Sequence, residues 1–378
     1  MEARIRILLS SVLFFLLLFP GNVSGARGVR TGLEVLGESG FALLKGKRVG
    51  LITNPTGIDS RLRSTVDIFH QAPEFELVAL FGPEHGVRGD YGAGDYVENY
   101  TDPHTGLPVY SIYGKTRKPT KEMLQGIDVL VYDIQDIGSR SYTFISTLGL
   151  AMEAAAENHI RFVVLDRPNP LGGLKMEGLI TRPGFFSFVS QFPIPYLHGM
   201  TVGELALFLN SEGLLANGEQ CDLAVVAMKG WKRKMTFDQT GLPWVPTSPH
   251  IPHEYSPMFY PASGILGELY TMSIGVGYTL PFQLFAAEWV NAETLADALN
   301  ALALPGVSFR PIHFTPYYST GKGIILHGVQ VHLTGYTKAN LSLIQFYFMQ
   351  ECHLRWPDKN PFEMCDPSRL TMIDHVCV

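Results

Sequence analysis

Three acidic clusters, each placed where an apolar run breaks off, are the groups in this chain best suited to chemistry. Glu84 sits in Phe81-Gly82-Pro83-Glu84-His85-Gly86, at the end of the run from Leu77. Asp133 and Asp136 follow the run Val129 to Tyr132, with Arg140 and Tyr142 close behind. Asp166, Arg167 and Asn169 follow the run Phe162 to Leu165, and Pro168 and Pro170 hold them in a stiff loop. A Glu near a partly apolar wall has its pKa raised toward neutrality and can serve as a general acid, so Glu84 is the candidate acid. Asp133 and Asp136 are candidates for a second catalytic carboxylate. Rigid Asp166 and Asn169 suit sugar hydroxyls, and Arg167 could grip a carboxylate bidentately. His85 and His198, the latter just ahead of a helix start, are further candidates. Each has a bland alternative: Glu84 as a turn residue paired with Arg88, an Asp–Arg lock around Arg140, or turns that satisfy only themselves.

These clusters need a scaffold that brings them together. Short apolar runs alternate with helical patterns from Lys47 to about Ala227, which predicts parallel strands with helices on both faces. Strands are expected at Arg48 to Thr53, Leu77 to Phe81, Val109 to Ile112, Val129 to Tyr132, Phe162 to Leu165 and Leu223 to Met228. Helices are expected at Leu62 to His70, Lys121 to Gln125, Thr143 to Asn158 and Thr201 to Leu209, the last with a capping box of Thr201 and Glu204. In such a sheet all three clusters fall at the carboxyl edge, where open α/β sheets place ligands. That predicts one shared cleft. Past Trp231 the texture turns to Pro, Gly and aromatics, and a helix pattern returns only near Ala292 to Ala301. A strand at Gly328 to Leu333 and a helix at Leu341 to Cys352 follow. The expected fold is α/β: a Rossmann-like parallel-sheet subdomain over 26–232 and a smaller α+β subdomain over 233–378, with the site between them.

Composition narrows the class. The chain has 378 residues, 46% hydrophobic and 17% charged, and a formal net charge of −6 without any long Lys/Arg run. That is a compact globule and a poor nucleic-acid partner. Arg4 and Arg6, the apolar run Val12 to Phe19 and small Val23-Ser24-Gly25 have the layout of a secretory signal peptide over 1–25, with an uncleaved anchor as the alternative. A periplasmic or secreted protein without stable membrane insertion is expected. The turn after the first strand, Thr53-Asn54-Pro55-Thr56-Gly57, lacks G-x-G-x-x-G, so no nucleotide cofactor is expected. His85, Asp133, Asp166 and His198 could hold a metal, but no H-E-x-x-H or H-x-H spacing supports one. No G-x-S-x-G serine elbow occurs. Of Cys221, Cys352, Cys365 and Cys377, the pair Cys352–Cys365 could form a disulfide, or the thiols could be free and buried.

From about Gly32 onward the sequence resembles the exo-β-N-acetylmuramidase family of the NamZ (YbbC-like) type, first known as a bacterial domain of unknown function. The resemblance rests on Gly50 to Gly57, which includes Asn54; Phe81 to Gly86 with Arg88 and Gly89; and Asp133 to Gly138 with Arg140 and Tyr142. Asp166 to Pro170, His198 to Thr201, and Trp244-Val245-Pro246 with Ser248-Pro249 complete it. It implies hydrolysis of terminal β-linked N-acetylmuramic acid from peptidoglycan fragments, with Glu84 as the family's catalytic glutamate. Arg140 or Arg167 would meet the lactyl carboxylate that distinguishes muramic acid from glucosamine. The chain departs from many relatives over Ser273 to Tyr278, with Glu268 upstream as a possible sugar contact, and relatives extend a few tens of residues beyond Val378. The second catalytic role is open to Asp133, Asp136 or the substrate's own acetamido group. Alternative functions are a metal-dependent hydrolase on cell-wall material, or a periplasmic sugar-binding protein without catalysis.

Overall fold

The computed structural model describes residues 28–92, 94 and 98–377; the expected signal peptide lies outside them. The first sheet is built from β1 (Arg48–Thr53), β2 (Glu76–Gly82), β3 (Tyr100–Thr101), β4 (Pro108–Ser111), β5 (Val129–Asp133), β6 (Arg161–Leu165) and β7 (Leu223–Val226). Its order is β3-β4-β2-β1-β5-β6-β7, parallel throughout except for the short edge strand β3.

Helix α1 (Gly32–Glu38) precedes β1, and α2 (Thr65–Gln71), α3 (Phe144–Glu157) and α4 (Val202–Ser211) lie between the strands. Alternation along the strands sorts them into two layers, because successive side chains point to opposite faces. Val129, Val131, Leu51 and Leu80 pack with Leu33, Leu36 and Phe69 of α1 and α2. Leu130, Tyr132, Ile52 and Phe81 pack with Phe144, Leu148, Leu205 and Leu209 of α3 and α4. All five residues of β5 are buried, as a strand covered on both faces requires. The capping box of Thr201 and Glu204 starts α4 as the sequence predicts. The helix expected at Lys121 to Gln125 is a run of turns instead, because Gly126 at φ 76° closes the segment before a second helical turn can form.

The second sheet, β8 (Leu284–Ala287), β9 (Val307–Phe314) and β10 (Leu326–Leu333), is antiparallel with β10 central. Three helices cover it: α5 (Ser256–Gly267), α6 (Ala292–Ala301) and α7 (Ile344–Arg355). The short α8 (Pro361–Met364) and then α9 (Pro367–Cys377) follow. α5 is absent from the sequence expectation because it carries Pro257 and Pro261. Pro257 falls in its first turn, where proline is tolerated, and tertiary packing of Phe259, Ala262, Ile265 and Leu266 outweighs the cost of Pro261. Cys221, Cys352 and Cys365 are free and buried, so the Cys352–Cys365 disulfide does not form.

One hydrophobic cluster runs through both parts. Ile137, Leu171, Tyr196 and Leu197 from the first join Phe259, Leu266, Phe285, Val329 and Phe348 of the second. Polar contacts stitch the same seam: Tyr142 Oη donates to Thr247 Oγ1 at 2.8 Å, and Tyr336 Oη to the Leu171 carbonyl at 2.6 Å.

Candidate active site

The chain leaves β1 for β2 on one side and returns through β5 on the other, so the switch point of the sheet lies between the ends of β1 and β5. This is where doubly wound sheets bind ligands. Here it is filled by the protein itself. Asp133 accepts from Arg167 Nε at 2.6 Å and Nη2 at 2.9 Å, and also from the Thr65 hydroxyl, while Arg167 Nη2 donates to the Ile58 carbonyl. The Thr53 hydroxyl donates to the Asp133 carbonyl, and a Cβ on Gly57 would fall 2.1 Å from that hydroxyl oxygen. Asn54 Oδ1 closes the turn onto Thr56 N–H at 3.0 Å. The space remaining, under Trp244 and beside Gln135 and Arg167, is about 20 Å³, enough for about one water.

The third cluster is closed as well. Asp166 Oδ1 accepts from the N–H of Gly203, in the first turn of α4, at 2.8 Å and from Arg167 N–H at 3.0 Å. Burial nevertheless pushes its pKa up, to about 6, against the pull of these donors. Asn169 accepts from Leu171 N–H and donates to the Met200 carbonyl. Asp136 and His198 do come together, with Oδ2 3.8 Å from Nε2, but both are buried, and Oδ2 already accepts from Gly138 N–H at 2.6 Å. Arg140 is 1% exposed and donates to the carbonyls of Leu179, Ile194 and Val376. The expected single cleft of three clusters is therefore corrected. Asp133, Asp166, Arg167, Asn169 and Arg140 are engaged by bonds inside the protein, and Asn54 turns Oδ1 onto Thr56 while its buried Nδ2 finds no partner among the described residues. Neither Arg140 nor Arg167 is free to meet a substrate carboxylate.

The end of β2 is different. Glu84 is only half-buried. Its carboxylate accepts from Gly94 N–H at 3.1 Å and from the Thr143 hydroxyl at 3.1 Å. Thr143 occupies the N-cap of α3, yet its side chain makes no capping bond and turns to Glu84 instead. His85 follows in a left-handed conformation, φ 72°, unusual for a residue with a Cβ, and Gly86 continues it at φ 74°. The His85 ring lies against the Tyr91 carbonyl, with Nδ1 at 3.1 Å. Tyr113, just beyond β4, stands beside Glu84: burial first and then the Glu84 charge raise its pKa. Tyr142, partly buried and bonded to Thr247, is raised by its desolvation and also feels Glu84.

Across from Glu84 is Glu268, which ends α5. Burial raises its pKa, the neighbouring Arg369 lowers it, and the charge of Glu84 raises it again. His250, stacked on Tyr318, is lowered by burial and by His85. The open site thus gathers Glu84, His85, Tyr142 and Glu268 from the sequence reading. It adds Tyr113, Thr143, His250 and Arg369, which that reading missed. Tyr113 alone carried a signal, since Ser111 pairs with Gly82 and so places the end of β4 beside that of β2. A groove of about 1010 Å³ between Leu171, Arg233 and Tyr336 holds none of the expected residues. Its Lys175 and Arg233 are already bonded to Glu177 and Glu204. Among the described residues no group of His, Cys, Asp and Glu could hold a metal ion.

Comparison with known proteins gives a consistent result. The N-terminal model of the family described as exo-β-N-acetylmuramidase NamZ matches residues 49–255, and the C-terminal model matches 258–377. The peptidoglycan β-N-acetylmuramidase NamZ of Bacillus subtilis (strain 168) is 49% identical over 334 residues, covering 88% of this chain and 80% of that protein. The crystal structure of a DUF1343 family protein from Bacteroides fragilis NCTC 9343 superposes with a TM-score of 0.89 at 63% identity, covering 93% of this chain and 89% of the other. A second from the same organism gives a TM-score of 0.69 at 27% identity, covering 92% and 90%.

Proposed function

Since the chain belongs to the NamZ family of exo-β-N-acetylmuramidases, and is a glycoside hydrolase releasing terminal β-linked N-acetylmuramic acid from peptidoglycan fragments, we propose that Glu84 is its general acid. The observation that carries this reading is the Thr143 hydroxyl, diverted from its own helix to fix the Glu84 carboxyl opposite Glu268. Glu84 would pass its proton to the glycosidic oxygen as the bond from the anomeric carbon breaks. A saccharide leaving group needs that help most. Glu268 then takes the second carboxylate role in place of Asp133 and Asp136, supporting positive charge at the anomeric carbon or activating water.

One observation favours the reverse assignment. Burial raises Glu268, so it holds a proton more readily than an ordinary Glu, while Glu84 already accepts from the Gly94 N–H and the Thr143 hydroxyl. The leaving group separates the two. A variant lacking the acid should lose about 10²–10⁴-fold on a disaccharide but far less on a dinitrophenyl muramide, which departs unprotonated. E84Q is expected to show that split and E268Q to be impaired on both substrates; the opposite pattern reverses the roles. Undiminished disaccharide turnover by E84Q would refute its involvement altogether.

Residues 1–25, with their basic start and apolar middle, support export to the periplasm or beyond. Amino-terminal sequencing of protein from the producing cell should begin near Ala26, and an intact Met1 in the mature protein would refute cleavage.

A further inference from the structure

We propose that Arg117 selects the substrate by pairing with the acidic lactyl substituent on O3 of the terminal sugar. This inference rests on the glycosidase reading above. A muramyl end brings a carboxylate into a site that already contains Glu84 and Glu268, and like charges brought together in a partly dry cleft repel unless a cation stands between them. Arg140 and Arg167 are closed off by internal bonds. Arg117 is open. It is exposed, and among the described residues no carboxylate lies within ion-pair distance of it.

Its position is fixed by its surroundings. The guanidinium carbon stands 4.2 Å over the centre of the Phe188 ring, and Phe188 is itself 6.1 Å from the ring of Tyr113, the neighbour of Glu84. Stacking on a ring face steadies the planar fork, and a guanidinium so held can bind a carboxylate bidentately. The backbone on either side is also held. The Thr116 hydroxyl donates to the Lys118 carbonyl at 2.6 Å, and Lys118 pairs with Glu157 at 2.6 Å. Lys118 therefore faces away with its own partner, and among the described residues Arg117, beside Tyr113, forms no ion pair. Arg369 is the rival cation, 4.3 Å over Tyr270, but Glu268 already shares its field.

The test compares wild type, R117M and R369M on three aryl glycosides: the N-acetylmuramide, its lactyl methyl ester, and the N-acetylglucosaminide. R117M should lose about 10–100-fold in kcat/KM on the free acid and stay within about threefold on the ester and the glucosaminide, so that discrimination collapses. R117K should recover part of the loss. R369M should shift the pH profile on all three without changing their ratio. Calorimetric binding of free N-acetylmuramic acid against N-acetylglucosamine gives the same comparison without turnover. Wild-type binding that favours the acid, with no hydrolysis, would remove the glycosidase reading while leaving Arg117 in place. Equal losses on acid and ester, no loss in R117M, or collapse of discrimination in R369M would each overturn the proposal.

Discussion

A carboxylate can donate or accept protons in catalysis only if the protein leaves one of its edges uncommitted. Asp133 fails that test: Arg167 takes both of its oxygens and Thr65 adds a third bond, in a site that is fully buried. It neutralises the guanidinium and ties β5 to the loop after β6. D133N keeps the shape but strips Arg167 of its counter-charge, so the unfolding free energy should fall by about 3–5 kcal/mol. Hydrolysis per folded molecule should change by less than about tenfold; a loss comparable to that of E84Q would return Asp133 to the chemistry. The sequence displays Glu84, Asp133 and Asp166 with equal prominence, each at a strand end. It contains nothing to say which acquires a buried Arg partner, because that depends on Arg167 folding back across the sheet. Glu84 was legible by its Gly and Pro neighbours. Glu268 was legible only as a sugar contact implied by the family resemblance, not as a second carboxylate, and Arg117 was not legible at all, since no spacing in the sequence links it to the site.

At the scale of elements, Asp166 joins the end of β6 to the start of α4. It receives the Gly203 N–H in the first helical turn, where a negative charge is favoured, and yet burial lifts its pKa from 3.8 to about 6. The folded protein therefore holds this proton more tightly than the unfolded chain. Its contribution is full below about pH 4 and is lost as pH rises through about 6, by as much as about 3 kcal/mol. Urea midpoints recorded between those pH values should fall in wild type relative to D166N; parallel curves would show that Asp166 does not titrate there. The elements themselves were mostly readable where the pattern was regular. β1, β2, β5, β6, α3 and α4 lie within two or three residues of their expected bounds, with burial matching the two-face alternation. Beyond Trp231 the reading missed α5, β8, β9, α8 and α9. Pro257 and Pro261 masked the 3.6-residue rhythm of α5, and β9 carries Pro311, which only an edge strand tolerates.

The whole molecule is closed by its last described helix. α9 reaches back to the first sheet's side of the seam through the Val376 carbonyl, which accepts from Arg140 Nη2 at 2.7 Å. His375 Nδ1 lies 2.7 Å from the Phe185 carbonyl, on the same loop as Phe188. Ile373 and Val376 enter the shared core. R140M would leave the buried carbonyls of Ile194 and Val376 and the half-exposed one of Leu179 without this donor, at a cost of about 2–3 kcal/mol. Limited proteolysis of that variant should cut within 367–377 first; unchanged resistance would show that α9 is held by its apolar contacts alone. The same continuity of packing settles how a glycan can be received. Two lobes sharing a single oily interior have no pivot about which to swing, so a saccharide end meets a mouth of fixed bore. Whatever distinguishes one sugar terminus from another must be built into the rim as it stands, not gained by clamping down afterward.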